Sequence, residues 1–237
     1  MGRLFEELDR RATPMGEISL RRRLDPVLQV DVFEAMLGEE HLMSSLFTVA
    51  EIELSRLGLA ALEGSELDIV VGGLGLGYTA TAALDDPRVR SVHVVEALPE
   101  VIGWHEAGLL PESARLTEDP RCHLVQGDFF ALIREAGSLG TGRGASVHGI
   151  FLDVDHTPHH LLHPSHADLY TEAGLARLRA RLHPGGVFAL WSDRPDEAFL
   201  AVAQTTFGRC DEHVVTFPNH HTGRDASNAV YVATDPG

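Results

Sequence analysis

Short apolar runs alternate with helical patterns along most of the chain. Runs typical of buried strands lie at residues 68–72, 91–95, 123–126, 147–152 and 186–191. The helical patterns between them indicate a parallel sheet that is covered by helices on both faces. Two later runs, at residues 213–217 and 229–233, have no helical pattern between them. They predict an antiparallel pair that completes a seven-stranded sheet, and the fold class is therefore α/β.

The N-terminal part of the chain has a different pattern. Residues 16–20 and 28–33 predict two short strands around the turn Leu24-Asp-Pro26, where proline restricts the backbone to conformations found in tight bends. No helical pattern separates these strands. We therefore predict a small β-hairpin extension that occupies residues 1–43.

A helix is predicted to follow this extension, from Ser44 to Leu62, because apolar residues recur there on one helical face. Ser44 or Ser45 is the candidate N-terminal cap. The helix begins the main domain, which we assign to residues 44–237. Within that domain, the glycine-rich segment 136–145 is predicted to be a flexible surface loop.

A glycine-rich turn joins the first strand of the main domain to the next helix. The segment Asp68–Tyr78 places Gly73, Gly75 and Gly77 directly after the buried strand. Glycine allows a tight turn and lets a ligand approach the backbone. Free N–H groups and the dipole at a helix start also favour an anionic ligand. The turn therefore predicts a nucleotide-type binding site, although ordinary turns contain the same glycine spacing.

Two acidic residues follow the next strands. Glu96 ends the second strand about 20 residues after the glycine turn, and Asp128 follows the third, in Gln126-Gly-Asp-Phe-Phe130. This order resembles the class I S-adenosylmethionine-dependent methyltransferase superfamily, with its Rossmann-like sheet. The resemblance implies S-adenosylmethionine beside the three glycines, with Glu96 at the ribose and Asp128 at the adenine amine. Phe129 and Asp153 are assigned to the same cofactor site. An NAD site is less well supported, because the turn has the spacing Gly-x-Gly-x-Gly and not the Gly-x-Gly-x-x-Gly of dinucleotide-binding turns.

Composition restricts the function further. The chain has 237 residues, 44% of them apolar, and a formal net charge of −16. That charge opposes general nucleic-acid binding and favours a cationic or small neutral substrate. No apolar run approaches membrane-spanning length, and the N-terminus lacks a signal peptide's apolar stretch, so we expect a cytoplasmic protein without membrane contact. All 19 basic residues are arginine, which excludes Schiff-base catalysis by lysine. A homodimer is compatible with the sequence, which does not determine the oligomeric state.

The fourth strand carries the candidate catalytic residues. Asp153, Asp155 and His156 follow its predicted C-terminal end, where open α/β sheets bind ligands. Asp153 is the first candidate for a general base that accepts the proton of an amine acceptor. His156 is a second candidate base, since histidine titrates near neutral pH. The alternative is that Asp153 and Asp155 cap the following segment or bind water.

This stretch resembles the spermidine synthase branch of the superfamily. Asp153 matches the first aspartate of that branch's Asp-Ser-Ser-Asp-Pro segment, and Leu169-Tyr170 lies at the spacing of its Phe-Tyr pair. Two departures affect function, because Gly75 and His156 stand where the branch has aspartates. Each lost charge-assisted hydrogen bond to an ammonium group costs about 1.5–3 kcal/mol.

We therefore expect an S-adenosylmethionine-dependent transferase that methylates a small polar or amine-bearing compound. Aminopropyl transfer from decarboxylated S-adenosylmethionine to a diamine is the second hypothesis. A non-catalytic cofactor-binding protein is the third. Tyr170 is a candidate catalytic residue, and Tyr170 and Trp191 are candidate walls of the acceptor pocket, with core packing as the alternative for Trp191. The resemblance also implies that the junction between extension and helix faces the active site, with Glu39, Glu40, His41, Met43, Ser44 and Ser45.

Five histidines are concentrated in one loop after the fourth strand: His156, His159, His160, His163 and His166. Their spacing could present several imidazoles to a metal only on a continuous helix, which Pro158 and Pro164 oppose. We expect solvated loop histidines and no metal, with one or two imidazoles lining the acceptor pocket. Cys122 and Cys210 are far apart in sequence and predict no disulfide framework.

Overall fold

The computed structural model describes residues 5–141 and 146–235. The N-terminal part is a four-stranded antiparallel sheet and therefore larger than the predicted hairpin. Its strands follow each other in space in the order β1 (Phe5–Thr13), β2 (Gly16–Leu24), β3 (Asp31–Leu37) and β4 (Glu40–Ser44). β2 and β3 correspond to the two predicted strands. β1 was missed because its residues are mostly polar and exposed, so it lacks a clear alternating pattern.

The turn between β2 and β3 is longer than predicted. Asp25 Oδ1 accepts hydrogen bonds from the amides of Val27 and Leu28, each at 2.9 Å, and so closes an Asx-type turn. Leu28 and Gln29 therefore belong to the turn, and Gln29 has a left-handed φ of 56°. The division between extension and main domain at residues 43 and 44 stays a prediction.

The first helix, α1 (Val49–Ala60), begins later than predicted. Ser44 is the last residue of β4, and the Ser45 hydroxyl accepts a hydrogen bond from the amide of Phe33 at 2.9 Å. Both serines therefore complete the N-terminal sheet, and neither caps the helix. The N-terminal cap is Thr48, whose side chain makes no capping hydrogen bond.

The predicted seven-stranded sheet is present. Its strands are β5 (Leu67–Gly72), β6 (Val89–Glu96), β7 (Cys122–Gln126), β8 (Val147–Leu152), β9 (Leu182–Ser192), β10 (Arg209–Asn219) and β11 (Arg224–Thr234). Their spatial order is β10-β11-β9-β8-β5-β6-β7. The pairs from β9 through β7 are parallel, and β11 is antiparallel to both β9 and β10. This arrangement confirms the α/β fold and the antiparallel closing pair.

Helices cover both faces of this sheet. They are α2 (Tyr78–Leu84), α3 (Pro99–Glu106), α4 (Ser113–Glu118), α5 (Phe129–Arg134), α6 (Glu172–Arg179) and α7 (Glu197–Phe207), and a 3₁₀ turn spans Pro164–Asp168. Successive side chains of a strand point to opposite faces. In β5, Ile69 and Val71 join the core under α1 to α4, while Val70 joins the core under α5 to α7. Ile18 and Leu20 of β2 join the first core.

The glycine-rich segment 136–145 was predicted to be a surface loop. Leu139 within it is fully buried in the second core, so its described part is anchored to the domain. Residues 142–145 lie outside the described residues. None of the helices in the described ranges is both long and apolar enough to cross a membrane.

Candidate functional site

The three turn glycines lie at the C-terminal edge of the sheet, and the backbone conformation of the turn requires them. Gly73, Gly75 and Gly77 have φ values of +94°, +48° and +96°, in the left-handed region that favours glycine. A Cβ atom on Gly73 would lie 2.1 Å from the carbonyl oxygen of Asp153. The turn therefore packs directly against the end of β8, and the absent side chain at Gly73 makes room for the protein itself.

Glu96 holds this turn in place. Its Oε2 accepts a hydrogen bond from the amide of Leu74 at 3.0 Å, and its Oε1 accepts one from the amide of Leu98 at 2.8 Å. Burial raises the pKa of Glu96 above its ordinary value, and the backbone N–H donors oppose that shift. The residue predicted to bind a ribose therefore also has a structural role, because it connects the ends of β5 and β6.

Asp128 similarly has a local partner. Its Oδ1 accepts a hydrogen bond from the amide of Ala131 at 3.1 Å, and it is the N-terminal cap of α5. The capping bond uses one carboxylate oxygen and leaves acceptor capacity on the side chain. The neighbouring Phe129 packs edge to face against Phe130, with ring centroids 5.8 Å apart.

A cavity of about 280 Å³ lies over these residues, and we call it the Glu96 cavity. It contains all the predicted cofactor residues except Gly77: Gly73, Gly75, Glu96, Asp128, Phe129 and Asp153. Apolar side chains of the N-terminal sheet, including Ile18 and Met43, complete its wall. A Cβ on Gly75 would lie 2.8 Å from the sulfur of Met43, so the glycine makes room for this wall.

A second cavity of about 420 Å³ lies beside the first, and we call it the Trp191 cavity. Its wall combines aromatic, acidic and imidazole side chains: Phe47, Tyr78, Trp191, Phe217, Glu51, Asp153, Asp193, His41 and His156. Trp191 lines this cavity and also packs against the first core, so the hypotheses of an acceptor-pocket wall and of core packing both stay open. Its Nε1 is buried without a hydrogen-bond partner among the described residues.

Asp153 lies on the wall of both cavities. Its amide donates to the Gly72 carbonyl oxygen at 2.8 Å, and its Oδ2 accepts a hydrogen bond from the hydroxyl of Thr79 at 2.7 Å. Burial raises the pKa of Asp153 to about 6, and the Thr79 bond opposes the shift. At neutral pH this carboxylate is ionised and accepts protons more readily than an ordinary aspartate, as a general base requires.

Glu51 is the acidic residue that the sequence analysis missed. It lies in the first turn of α1 and lines the Trp191 cavity. Burial, followed by the nearby charge of Asp153, raises the pKa of Glu51 to about 8. The sequence shows only a glutamate between apolar residues, in the helix that follows the junction between the N-terminal extension and the main domain. Amphipathic helices contain such residues routinely, so the signal was weak.

Asp155 and Tyr170, both predicted to be catalytic, line neither cavity. Asp155 is buried and accepts hydrogen bonds from the Leu162 amide at 2.7 Å, from His166 Nδ1–H at 2.8 Å and from the Tyr170 hydroxyl at 2.7 Å. Burial and the negative charge of Asp155 raise the pKa of Tyr170 well above its ordinary value. The pair therefore fixes the loop after β8, and the catalytic and pocket-wall roles of Tyr170 stay predictions.

The loop histidines separate into different environments. His156 lines the Trp191 cavity and lies 3.4 Å from the carboxylate of Glu40, while His163 and His166 line the Glu96 cavity. The His166 ring stacks on Phe130 with centroids 3.6 Å apart. Within residues 5–141 and 146–235, no three His, Cys, Asp or Glu side chains are arranged to hold a metal ion.

Solved structures similar to this chain include spermidine synthases. One, from Thermotoga maritima, matches with a TM-score of 0.72 and 16% identity over 96% of this chain and 72% of the other. Another, in complex with the transition state analogue AdoDATO, matches with a TM-score of 0.74 and 15% identity over 96% of this chain and 73% of the other. No protein-family model and no curated protein matches the chain. The likeness establishes that the chain has the fold of spermidine synthases.

Proposed function

We propose that this protein is a transferase of the spermidine synthase type. It moves the aminopropyl group of decarboxylated S-adenosylmethionine to an amine acceptor. The observation that carries this proposal is the position of Asp153, which lies on the wall of both the Glu96 cavity and the Trp191 cavity. One carboxylate can therefore face a donor in one cavity and an acceptor in the other.

The charges around the cavities support a donor without a carboxylate. Glu96, Asp128 and Asp153 line the Glu96 cavity, while no arginine of the described residues lines either cavity and the chain contains no lysine. The carboxylate of S-adenosylmethionine would enter this acidic site without an arginine or lysine to pair with. Decarboxylated S-adenosylmethionine keeps the ammonium group, lacks the carboxylate and therefore suits these acidic residues.

The sequence analysis favoured methyl transfer because Gly75 and His156 replace two aspartates. Glu51 supplies the Trp191 cavity with a further carboxyl group, which can offset part of the loss of these two aspartates. The two similar solved structures named above are spermidine synthases, and they support aminopropyl transfer at the level of the fold. Aminopropyl transfer is therefore the better supported of the two reactions.

In this proposal, the chain's residues position the reactants and accept a proton. Decarboxylated S-adenosylmethionine supplies a carbon that its sulfonium makes electrophilic. Asp153 accepts the proton that the acceptor ammonium must lose before its nitrogen can form the new C–N bond, while the C–S electron pair remains on sulfur. Holding both reactants in adjoining cavities makes the reaction effectively intramolecular, which is worth about 7–11 kcal/mol in favourable cases.

The test incubates the purified protein with each donor separately and a panel of mono- and diamines. Mass spectrometry of the products distinguishes an added aminopropyl group from an added methyl group. We expect aminopropyl products and the release of 5′-methylthioadenosine. Methylated products would restore the earlier hypothesis. Tight donor binding without turnover across the panel would support a non-catalytic cofactor-binding protein.

A further inference from the structure

The Trp191 cavity contains a carboxyl group whose hydrogen-bonding capacity is not met by the protein. Oε2 of Glu51 is shielded from solvent and has no hydrogen-bond partner among the described residues. Buried polar atoms in folded proteins are normally paired. An unpaired carboxyl oxygen on a residue that lines a cavity therefore indicates a ligand that supplies the missing donor.

The titratable groups that share the cavity wall with Glu51 indicate the charge of the ligand. Four other elements contribute titratable side chains to the cavity wall: Asp153 after β8, Tyr78 on α2, His41 on β4, and His156 and Asp193 on the segments after β8 and β9. Burial raises the pKa of Tyr78, so its phenol is neutral at physiological pH. With no arginine of the described residues on this wall, an ionised Glu51 beside Asp153 lacks a permanent positive partner.

We propose that Glu51 is the second carboxyl group of the acceptor site and that it exchanges its proton for the ammonium group of the acceptor. This inference rests on the proposed function, because it takes an amine as the acceptor. In the free protein, Glu51 and Asp153 together avoid a double negative charge by retaining a proton on Glu51. A cationic amine removes that repulsion and supplies the donor that Oε2 lacks. The proton leaves to solvent, and no covalent bond other than O–H breaks.

Thr79 shows why the two carboxyl groups act differently. Its hydroxyl lies within hydrogen-bonding distance of the Glu51 carbonyl oxygen at 3.3 Å and donates to Asp153 Oδ2 at 2.7 Å. The hydrogen bond stabilises the charged form of Asp153, whereas the Glu51 carboxyl receives no such donor from the described side chains. Asp153 is thus the carboxylate that holds a negative charge in the free protein, and Glu51 is the group that changes its protonation on binding.

The first experiment needs no variant. Isothermal titration calorimetry of 1,4-diaminobutane into the full chain, in buffers of different ionisation enthalpy, counts the protons released on binding. Between about pH 6.5 and 8.5 the diamine stays charged, because alkyl amines have pKa values of about 10.4. We expect close to one proton released per bound diamine near pH 7 and progressively fewer as the pH rises past 8. Binding without proton release, or no binding, would overturn the proposal.

The second experiment assigns the proton to Glu51. Glu51→Gln keeps the size of the side chain but has no proton to exchange, so the release should disappear and the affinity for the diamine should fall at least tenfold. Glu51→Asp keeps a carboxyl group and should retain proton release with a smaller loss of affinity. Glu53→Gln is the matched control, because Glu53 lies on the same helix and pairs with Arg56 at 2.9 Å, outside the cavity wall. It should behave like the parent.

The outcomes separate this inference from the proposed function. Proton-coupled diamine binding that depends on Glu51, without aminopropyl transfer, would overturn the proposed function and leave the role of Glu51 intact. If the parent protein transfers aminopropyl groups to amines, and Glu51→Gln binds the diamine and releases the proton as the parent does, the role of Glu51 is overturned and the proposed function stands. Circular dichroism and thermal unfolding of each variant show that the comparison is made between folded proteins.

Discussion

At the scale of single residues, Asp153 and Asp193 both place a carboxylate on the wall of the Trp191 cavity. Of the two, only Asp153 also lines the Glu96 cavity. We expect Asp153→Asn to lower turnover at least about a hundredfold, because the amide cannot accept the acceptor's proton. Donor affinity should fall less than turnover, because Glu96 and Asp128 keep their carboxylates in the Glu96 cavity. The measurement is steady-state turnover at saturating donor, with Asp193→Asn as the control that removes a charge from the same wall. An equal loss in both variants would indicate that charge alone matters.

Glu51 also affects stability, and the sign follows from its raised pKa. A carboxyl group whose pKa rises from 4.5 to about 8 on folding favours the folded state below pH 4.5, and this contribution is lost as the pH rises to about 8. Glu51→Gln removes the dependence. We expect the variant to match the parent near pH 5 and to be more stable near pH 8.5. The difference should be about 1–3 kcal/mol, since each pKa unit is worth about 1.4 kcal/mol and solvent screens part of it.

Thermal and urea unfolding of both proteins across this pH range measure the difference. Glu53→Gln again provides the control, because it removes a carboxylate from the same helix that pairs with Arg56 and lies outside the cavity wall. A constant stability difference between pH 5 and 8.5 would contradict a raised pKa at Glu51.

At the scale of elements, the turn between β5 and α2 depends on close contact with the end of β8. Gly73→Ala places a Cβ 2.1 Å from the Asp153 carbonyl oxygen and also forces alanine to adopt a φ of +94°. Gly185→Ala is a matched control with a φ of +78° and no atom within 4 Å of the new Cβ. We expect the control to lose about 1 kcal/mol of stability from backbone strain, and Gly73→Ala to lose several kcal/mol. Equal losses by urea unfolding would exclude the steric contact.

The loop after β8 is organised by Asp155, which connects Leu162, His166 and Tyr170. Asp155→Asn replaces an acceptor of three hydrogen bonds by a group with one acceptor oxygen and an amide donor. We expect a loss of about 1–3 kcal/mol in stability, with turnover reduced less than in Asp153→Asn. Unfolding and turnover measured on the same preparations test both expectations. Normal stability with abolished turnover would instead give Asp155, one of the candidate catalytic residues of the sequence, a direct part in the reaction.

At the scale of the whole molecule, the net charge of −16 should assist binding of cationic acceptors. We expect KM for a diamine to rise severalfold when the ionic strength increases from about 0.05 to 0.5 M, because the Debye length falls below about 5 Å. Thermal unfolding in the same buffers controls for an effect of salt on the fold. A salt-independent KM would show that only the local carboxyl groups attract the acceptor.

The sequence by itself determined the main architecture and the edge of the sheet that carries the site. The apolar runs predicted all seven strands of the large sheet, because apolar residues recur locally even in its less buried strands, such as β7 and β10. The same patterns located Gly73, Glu96, Asp128 and Asp153 at strand ends, where parallel topology brings them together. Site roles assigned from this order, including the ribose and adenine contacts, stay predictions.

Tertiary structure decided which side chains face the cavities. Asp153 and Asp155 are two aspartates only two positions apart, and the sequence pattern does not distinguish their environments. Asp153 lines both cavities, whereas Asp155 is enclosed by Leu162, His166 and Tyr170. Glu51 is distant from Asp153 in sequence, and its raised pKa depends on burial and on that neighbour. Such properties arise from packing between α1, the strand ends and the N-terminal sheet. Periodicity within one segment carries no information about them.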